Sequence, residues 1–234
     1  DEMSNLSLEL RKKLQEELDF NTITVDTTQY SNDGTLKSRF RTRDNHLIEG
    51  VLIPTEKRNT ACVSSQIGCS LTCKFCATGQ MERKRNLDFE EIYDQVAILN
   101  EQSEKVYGKK LTNIVYMGMG EPLQNIDAVF ASIDGLTDPA RGGIGQRRIT
   151  VSTSGVVPGI ERLAKQRPQI TLAVSLHAAR NPLRDLLVPL NRKWPVEAVI
   201  AAADGHSRAT GRRTTYEVTM IDGINDRAED SAAL

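Results

Sequence analysis

Residues 147–176, RRITVSTSGVVPGIERLAKQRPQITLAVSL, decide the fold. A β-rich run, RRITVST (147–153), leads into a helical stretch that starts near Pro158, where proline suits a first helical turn. A second β-rich run, ITLAVSL (170–176), follows. The same alternation continues in both directions. Further strand candidates are ACVSS (61–65), LTNIVYM (111–117) and TTYEVTM (214–220). Between the first two, Asp88 and Glu91 have the spacing of a capping box, and Ile92, Val96 and Leu99 form a helical apolar stripe. Other helices start near Ile126 and Pro195. Such repetition predicts an α/β fold with a parallel sheet and right-handed crossovers, whose functional residues sit at the carboxyl ends of the strands.

The N-terminal part reads differently. Leu10, Leu14 and Leu18 recur at i, i+4 and i+8 after a cap at Ser4 or Asn5, the pattern of an amphipathic helix expected to pack against something. From Thr22 to Pro54 the signals are short strands broken by turn residues. SRFRTR (38–43) sets Arg39, Arg41 and Arg43 at period two, on one strand face; the plain reading is a solvated face. The expected division is 1–54 for a helix and β-hairpin region and 55–234 for the strand–helix core. DRAEDSAAL (226–234) reads as the start of another helix, so a sixth strand is expected to be missing from an incomplete core.

Of 234 residues, 39% are apolar and 26% charged, enough for a sizeable core and unlike a disordered chain. No apolar run reaches the roughly 18 to 20 residues of a membrane span, and the N-terminus has no signal-peptide core. The expectation is a cytoplasmic protein. The net charge is −1, but residues 37–85 hold ten Lys/Arg against four Asp/Glu, leaving twenty against twenty-seven elsewhere. This asymmetry permits a polyanion site without demanding one.

All four cysteines lie between Cys62 and Cys76, a poor disulfide framework and a sign of a reducing compartment. Cys69, Cys73 and Cys76 form C-x3-C-x2-C on a loop directly after ACVSS, with Phe75 before the last thiol. Three thiolates suit a [4Fe–4S] cluster with one iron left open, to which S-adenosylmethionine can chelate for reductive cleavage into a 5′-deoxyadenosyl radical. Two alternatives remain: zinc held by four thiolates, Cys62 included, and a redox pair formed by Cys73 and Cys76. The glycines of GMGEP (118–122) are not a dinucleotide fingerprint, because Leu123 stands where the third glycine belongs. Alone they mean a tight turn.

CVSSQIGCSLTCKFCATG (62–79), GMGEP (118–122), STSGVVP (152–158) and SLHAARNPLRDLLVPLN (175–191) together resemble the RlmN/Cfr family of radical S-adenosylmethionine RNA methyltransferases. The likeness is nearest to the branch that methylates carbon 2 of adenosine in 23S ribosomal RNA and tRNA. The resemblance implies a partial (βα)6 barrel, TIM-like and here truncated at the C-terminus, behind a small accessory region. It implies cluster ligation by Cys69, Cys73 and Cys76, and a hold on the S-adenosylmethionine amino group by Gly120 and Glu121. Ser152, Ser175, Leu176 and His177 resemble residues lining the cofactor's nucleoside and carboxylate. Glu49 resembles the general base, and Cys62 the cysteine that resolves a covalent RNA–enzyme intermediate by forming a disulfide.

Outside that resemblance, His177 reads as a structural histidine, Glu49 as a solvated charge and Cys62 as a small buried residue. No cysteine follows Cys76, so the family's methyl-carrying cysteine has no match, and neither does the cofactor-contacting asparagine of the last strand region. The chain is therefore expected to bind the cluster without completing methylation. Arg39, Arg41, Arg43, Arg83, Lys84 and Arg85 are the expected RNA-binding cations, with a flavodoxin-like electron donor as a further partner and a monomer as the working state. A relative that methylates carbon 8 of adenosine, conferring antibiotic resistance, and a non-catalytic iron–sulfur or zinc module are the competing readings.

Overall fold

The structure, a computed structural model, describes residues 5–17 and 21–234. Ser4 and Leu18, read above as cap and stripe, lie outside the described residues. Helix α1 (Leu8–Glu17) leaves Leu8 and Leu10 exposed and Leu14 half-buried, so its described stripe lacks the expected packing.

Strands β1 (Ile23–Tyr30), β2 (Leu36–Thr42) and β3 (Leu47–Pro54) form an antiparallel meander that continues into β4 (Asn59–Cys62). On β2 the alternation buries Leu36, Ser38, Phe40 and Thr42 and turns Lys37, Arg39 and Arg41 to the other face. Arg43 is a correction to the reading of three arginines on one strand face. The strand ends at Thr42, whose N–H donates to the His46 carbonyl (2.9 Å) across a turn with Asn45 at φ 67°. Arg43 therefore stands exposed in the turn.

After β4 the sheet becomes parallel. A small antiparallel pair, β5 (Gln66–Ile67) with β6 (Arg85–Asn86), closes the excursion that carries the cysteines and a 3-10 turn (Thr78–Gln80). Helix α2 (Phe89–Tyr107) begins at the expected capping box, the Asp88 N–H donating to Glu91 Oε2 at 2.9 Å. There follow β7 (Asn113–Tyr116), α3 (Ile126–Thr137), β8 (Ile149–Thr153), α4 (Val157–Gln166) and β9 (Thr171–Ser175). The chain continues through α5 (Asn181–Leu187), α6 (Val196–Thr210), β10 (Thr215–Glu217) and α7 (Ala228–Ala233). The eight-stranded sheet runs β1-β2-β3-β4-β7-β8-β9-β10, parallel from β4 onward.

One face of the parallel strands presents Ile114, Tyr116, Val151 and Leu172 to Ile92, Val96 and Leu99 of α2, Ile133 of α3 and the other crossover helices. Each such side chain contributes roughly 1.5–3 kcal/mol by leaving water. The cross-strand registers Cys62↔Val115, Val115↔Thr150 and Ser152↔Ala173, with Ser175↔Glu217 farther along, put a more polar row on the opposite face. That face and the strands' carboxyl ends together carry the site.

Candidate active site

The cysteine loop is anchored at its start to the segment after β7. The N–H groups of Ser65 and Gln66 donate to the Met119 carbonyl, and the Glu121 N–H donates to Gln66 Oε1 at 2.9 Å. Gly120 sits at φ +94°, and a Cβ there would lie 2.4 Å from the Gln66 side chain, so this crossing admits only glycine. Within the loop, Cys76 N–H donates to the Cys73 carbonyl and Gly79 N–H to the Cys76 carbonyl. A Cβ on Gly79 would come within 2.9 Å of Cys73 backbone atoms. The loop is thus wound tightly, with Thr72 at φ 49° and the Lys74 N–H tied to the Leu187 carbonyl of α5.

Cys69, Cys73 and Cys76 line one cavity with Gly120, Glu121, Ser152, Ser175 and His177. Eight of the eleven residues singled out in the sequence therefore meet. Cys62, Glu49 and Leu176 do not line that cavity. Leu176 turns its side chain into the protein, 5% exposed. Cys62 is half-buried on β4, opposite Val51, and Glu49 lies farther along the same face of β3, ion-paired with Lys37 at 2.8 Å.

Burial decides the electrostatics. It pushes the thiols of Cys73 and Cys62 up to about 11, with the neighbouring Cys69 and Cys76 adding to the rise at Cys73. Cys69 is raised for the same reason. Glu121, 2% exposed, is raised by burial while the amides of Ser154 (2.8 Å) and Leu123 (3.1 Å) donate to its two oxygens and hold it in place. His177, two residues beyond β9, is in the left-handed region (φ 59°), and its ring lies 4.1 Å from that of Phe75. Burial and then the Arg184 charge pull His177 down to about 4. The neutral ring accepts at Nδ1 from the Thr219 N–H (3.1 Å), so its hydrogen sits on Nε2 as a donor.

Sequence reasoning missed three contributors. Ser154 lines the cavity one residue beyond β8. Glu217 of β10 brings in a second carboxyl, raised by burial, which also acts on Cys62. Alternation within TTYEVTM could have found it, since Glu217 shares the strand face of Thr215. Arg184 on α5 is fully buried behind the strand ends, and nothing in LRDLL marks it.

The expected cations are mostly engaged. Arg39 and Arg41 share Asp26, Lys84 pairs with Glu82, and Arg85 bridges Asp44 and Glu91. Arg83 donates to Asn86, and Arg43 has no partner among the described residues. No helix among the described residues is long and apolar enough to cross a membrane.

Three soft thiols on one tightly wound loop, facing hydroxyl, carboxyl and imidazole groups, fit a thiolate-ligated cluster with a polar organic ligand beside it. The family model of the radical SAM superfamily matches residues 63–234. A probable dual-specificity RNA methyltransferase RlmN from Christiangramia forsetii is 46% identical over the whole chain, which covers 66% of that protein. A dual-specificity RNA methyltransferase RlmN from Syntrophobacter fumaroxidans is 44% identical, again over all of this chain and 67% of its own length. The crystal structure of a radical SAM methyltransferase from Sphaerobacter thermophilus superposes with a TM-score of 0.93 at 45% identity, covering 98% of this chain and 67% of that one. The chain thus spans about two thirds of the length of these relatives. It belongs to the radical SAM superfamily, whose cofactors are a [4Fe–4S] cluster and S-adenosylmethionine, and within it to the RlmN family.

Proposed function

We propose that this chain is the core of an RNA methyltransferase acting on carbon 2 of adenosine in 23S ribosomal RNA and tRNA. The observation that carries the proposal is one cavity shared by Cys69, Cys73 and Cys76 with Glu121, Ser152, Ser175 and His177. When bound, cluster and cofactor supply one-electron cleavage of a carbon–sulfur bond, which suits a ring carbon that has no lone pair for ordinary methyl transfer.

In this reading the three cysteines ligate the cluster through thiolates, so assembly must displace thiol protons that burial holds tightly. Gly120 gives the backbone approach, and the Glu121 carboxylate accepts from the cofactor's ammonium. Ser152 and Ser175 donate hydroxyls to its carboxylate and nucleoside, as does Nε2–H of His177. Leu176 contributes backbone alone, its side chain being buried. Phe75 packs against the imidazole and excludes water from it. On the strand face leading away from the cavity, Glu49 would remove the ring proton, and Cys62 would attack the bridging sulfur, forming a disulfide as the methylated product leaves. The sulfur partner that Cys62 needs has no match among the chain's four cysteines. Arg43 and Arg83 contact RNA phosphates, since the remaining candidates already serve carboxylates within the protein. We further take the chain as a cytoplasmic monomer reduced by a flavodoxin-like donor.

The test is anaerobic reconstitution with iron and sulfide, then dithionite and S-adenosylmethionine, counting 5′-deoxyadenosine. Wild type should produce it, and Cys73→Ala should not. A zinc-bound chain that yields none overturns the proposal.

A further inference from the structure

Arg184 is 0% exposed, and among the described residues its guanidinium is met only by neutral oxygens. Nε donates to the Leu176 carbonyl (2.9 Å), Nη1 to Asn191 Oδ1 (2.9 Å), and Nη2 to the carbonyls of Ser154 (2.7 Å) and Ser175 (3.3 Å). Arg180, one helical turn earlier, is paired instead with Glu229 and Asp230. A buried cation without an anionic partner is costly, because carbonyl dipoles replace only part of its hydration. Burial accordingly pulls the guanidinium down to about 10.

The surroundings connect Arg184 to the cysteine loop through intervening residues. Ser154, whose carbonyl Arg184 holds, lines the cavity together with Cys73, and the Lys74 N–H beside that cysteine donates to the Leu187 carbonyl of the helix that carries Arg184. Cys73 packs in one apolar cluster with Leu187 and Val188, which follow Arg184 on the chain. A [4Fe–4S] core with three thiolates carries one net negative charge when oxidised and two when reduced, so a fixed cation behind Cys73 interacts more strongly with the reduced form.

We propose that Arg184 is the buried counter-charge of the cluster and raises its reduction potential. The proposal rests on the cluster assignment above. It makes the positive charge, rather than the hydrogen bonds alone, the reason for an arginine here.

The test is a redox titration of the anaerobically reconstituted chain without S-adenosylmethionine, reading the reduced cluster by electron paramagnetic resonance. Arg184→Gln should bind the same amount of iron but show a reduced-to-oxidised ratio about tenfold lower at fixed potential, a fall of about 59 mV for one electron. Arg184→Lys keeps the charge while losing carbonyl bonds, and should stay within about threefold of wild type. If Lys and Gln behave alike, or neither moves the midpoint, the proposal is wrong. Where Arg184→Gln does not fold, Asp185→Asn decides: removing the nearby anion should raise the midpoint, and no rise overturns the counter-charge. Failure to assemble any cluster in wild type would instead sink the cluster assignment itself.

Discussion

Replacing Gly120 by alanine tests whether the crossing between the segment after β7 and the start of the cysteine loop is as tight as described. Two costs add. At φ +94° an alanine pays the left-handed penalty of about 1–2 kcal/mol. Its Cβ would also lie 2.4 Å from the Gln66 Cβ and 2.9 Å from the Gln66 backbone nitrogen, which is itself tied to the Met119 carbonyl and cannot yield freely. Overpacking of that kind costs roughly 1–3 kcal/mol. The sum, about 2–5 kcal/mol, lowers the melting temperature by roughly 4–20 °C for a domain of this size. Gly108→Ala is the control, because Gly108 caps α2 at φ 64° with nothing within 4 Å of the added Cβ, leaving only the conformational cost. Chemical denaturation of the metal-free chain should place Gly120→Ala at least about 1 kcal/mol below Gly108→Ala. Equal stabilities would mean that Gln66 does not pack on Gly120 and that the loop's anchoring is misdescribed.

Three further outcomes follow from the same site. In the metal-free chain, alkylation of Cys73 at pH 8 should run roughly two orders of magnitude slower than for an ordinary thiol and climb until about pH 11, as peptide mass spectrometry can follow; a plateau near pH 9 contradicts its burial. His177 is held down to about 4 against 6.5 unfolded, so between those values the unfolded chain binds the extra proton. Its stabilising share, at most about 3 kcal/mol, is full above pH 6.5 and is lost as pH falls to about 4. His177→Asn, tolerated at positive φ, should flatten that part of the stability profile, and an unchanged profile refutes the assignment. For RNA, Arg43→Ala and Arg83→Ala should each reduce the salt dependence of binding by about one phosphate contact, whereas Arg39→Ala should change it little, because Arg39 is spent on Asp26.

How legible the molecule was depends on the range of the interaction involved. Local chemistry could be read directly: the Asp88–Glu91 capping box, the prolines that open α4 and α6, and the period-two placing of Arg39 and Arg41 on one face of β2 all appear where expected. Thiol spacing likewise placed Cys69, Cys73 and Cys76 on one loop, whereas Ser152, Ser175 and His177 were singled out only through the family resemblance, and they line the same cavity. Arg43 was misplaced because period two says nothing about where a strand stops, and the Thr42–His46 bond stops it. The pairing of Arg39 and Arg41 with Asp26 depends on the β1–β2 register, which no local pattern encodes. Arg184 was invisible for a stronger reason. Arginine on a short helix is ordinarily a surface residue, and only the tertiary arrangement of four neutral oxygens around it shows a buried charge.

The most direct test of one site for cluster and cofactor is the electron paramagnetic resonance spectrum of the dithionite-reduced, reconstituted chain before and after S-adenosylmethionine. A saturable change in the cluster's g-values, lost in Glu121→Ala with iron content unchanged, is what the shared cavity predicts. An intact cluster whose spectrum ignores saturating S-adenosylmethionine would contradict it.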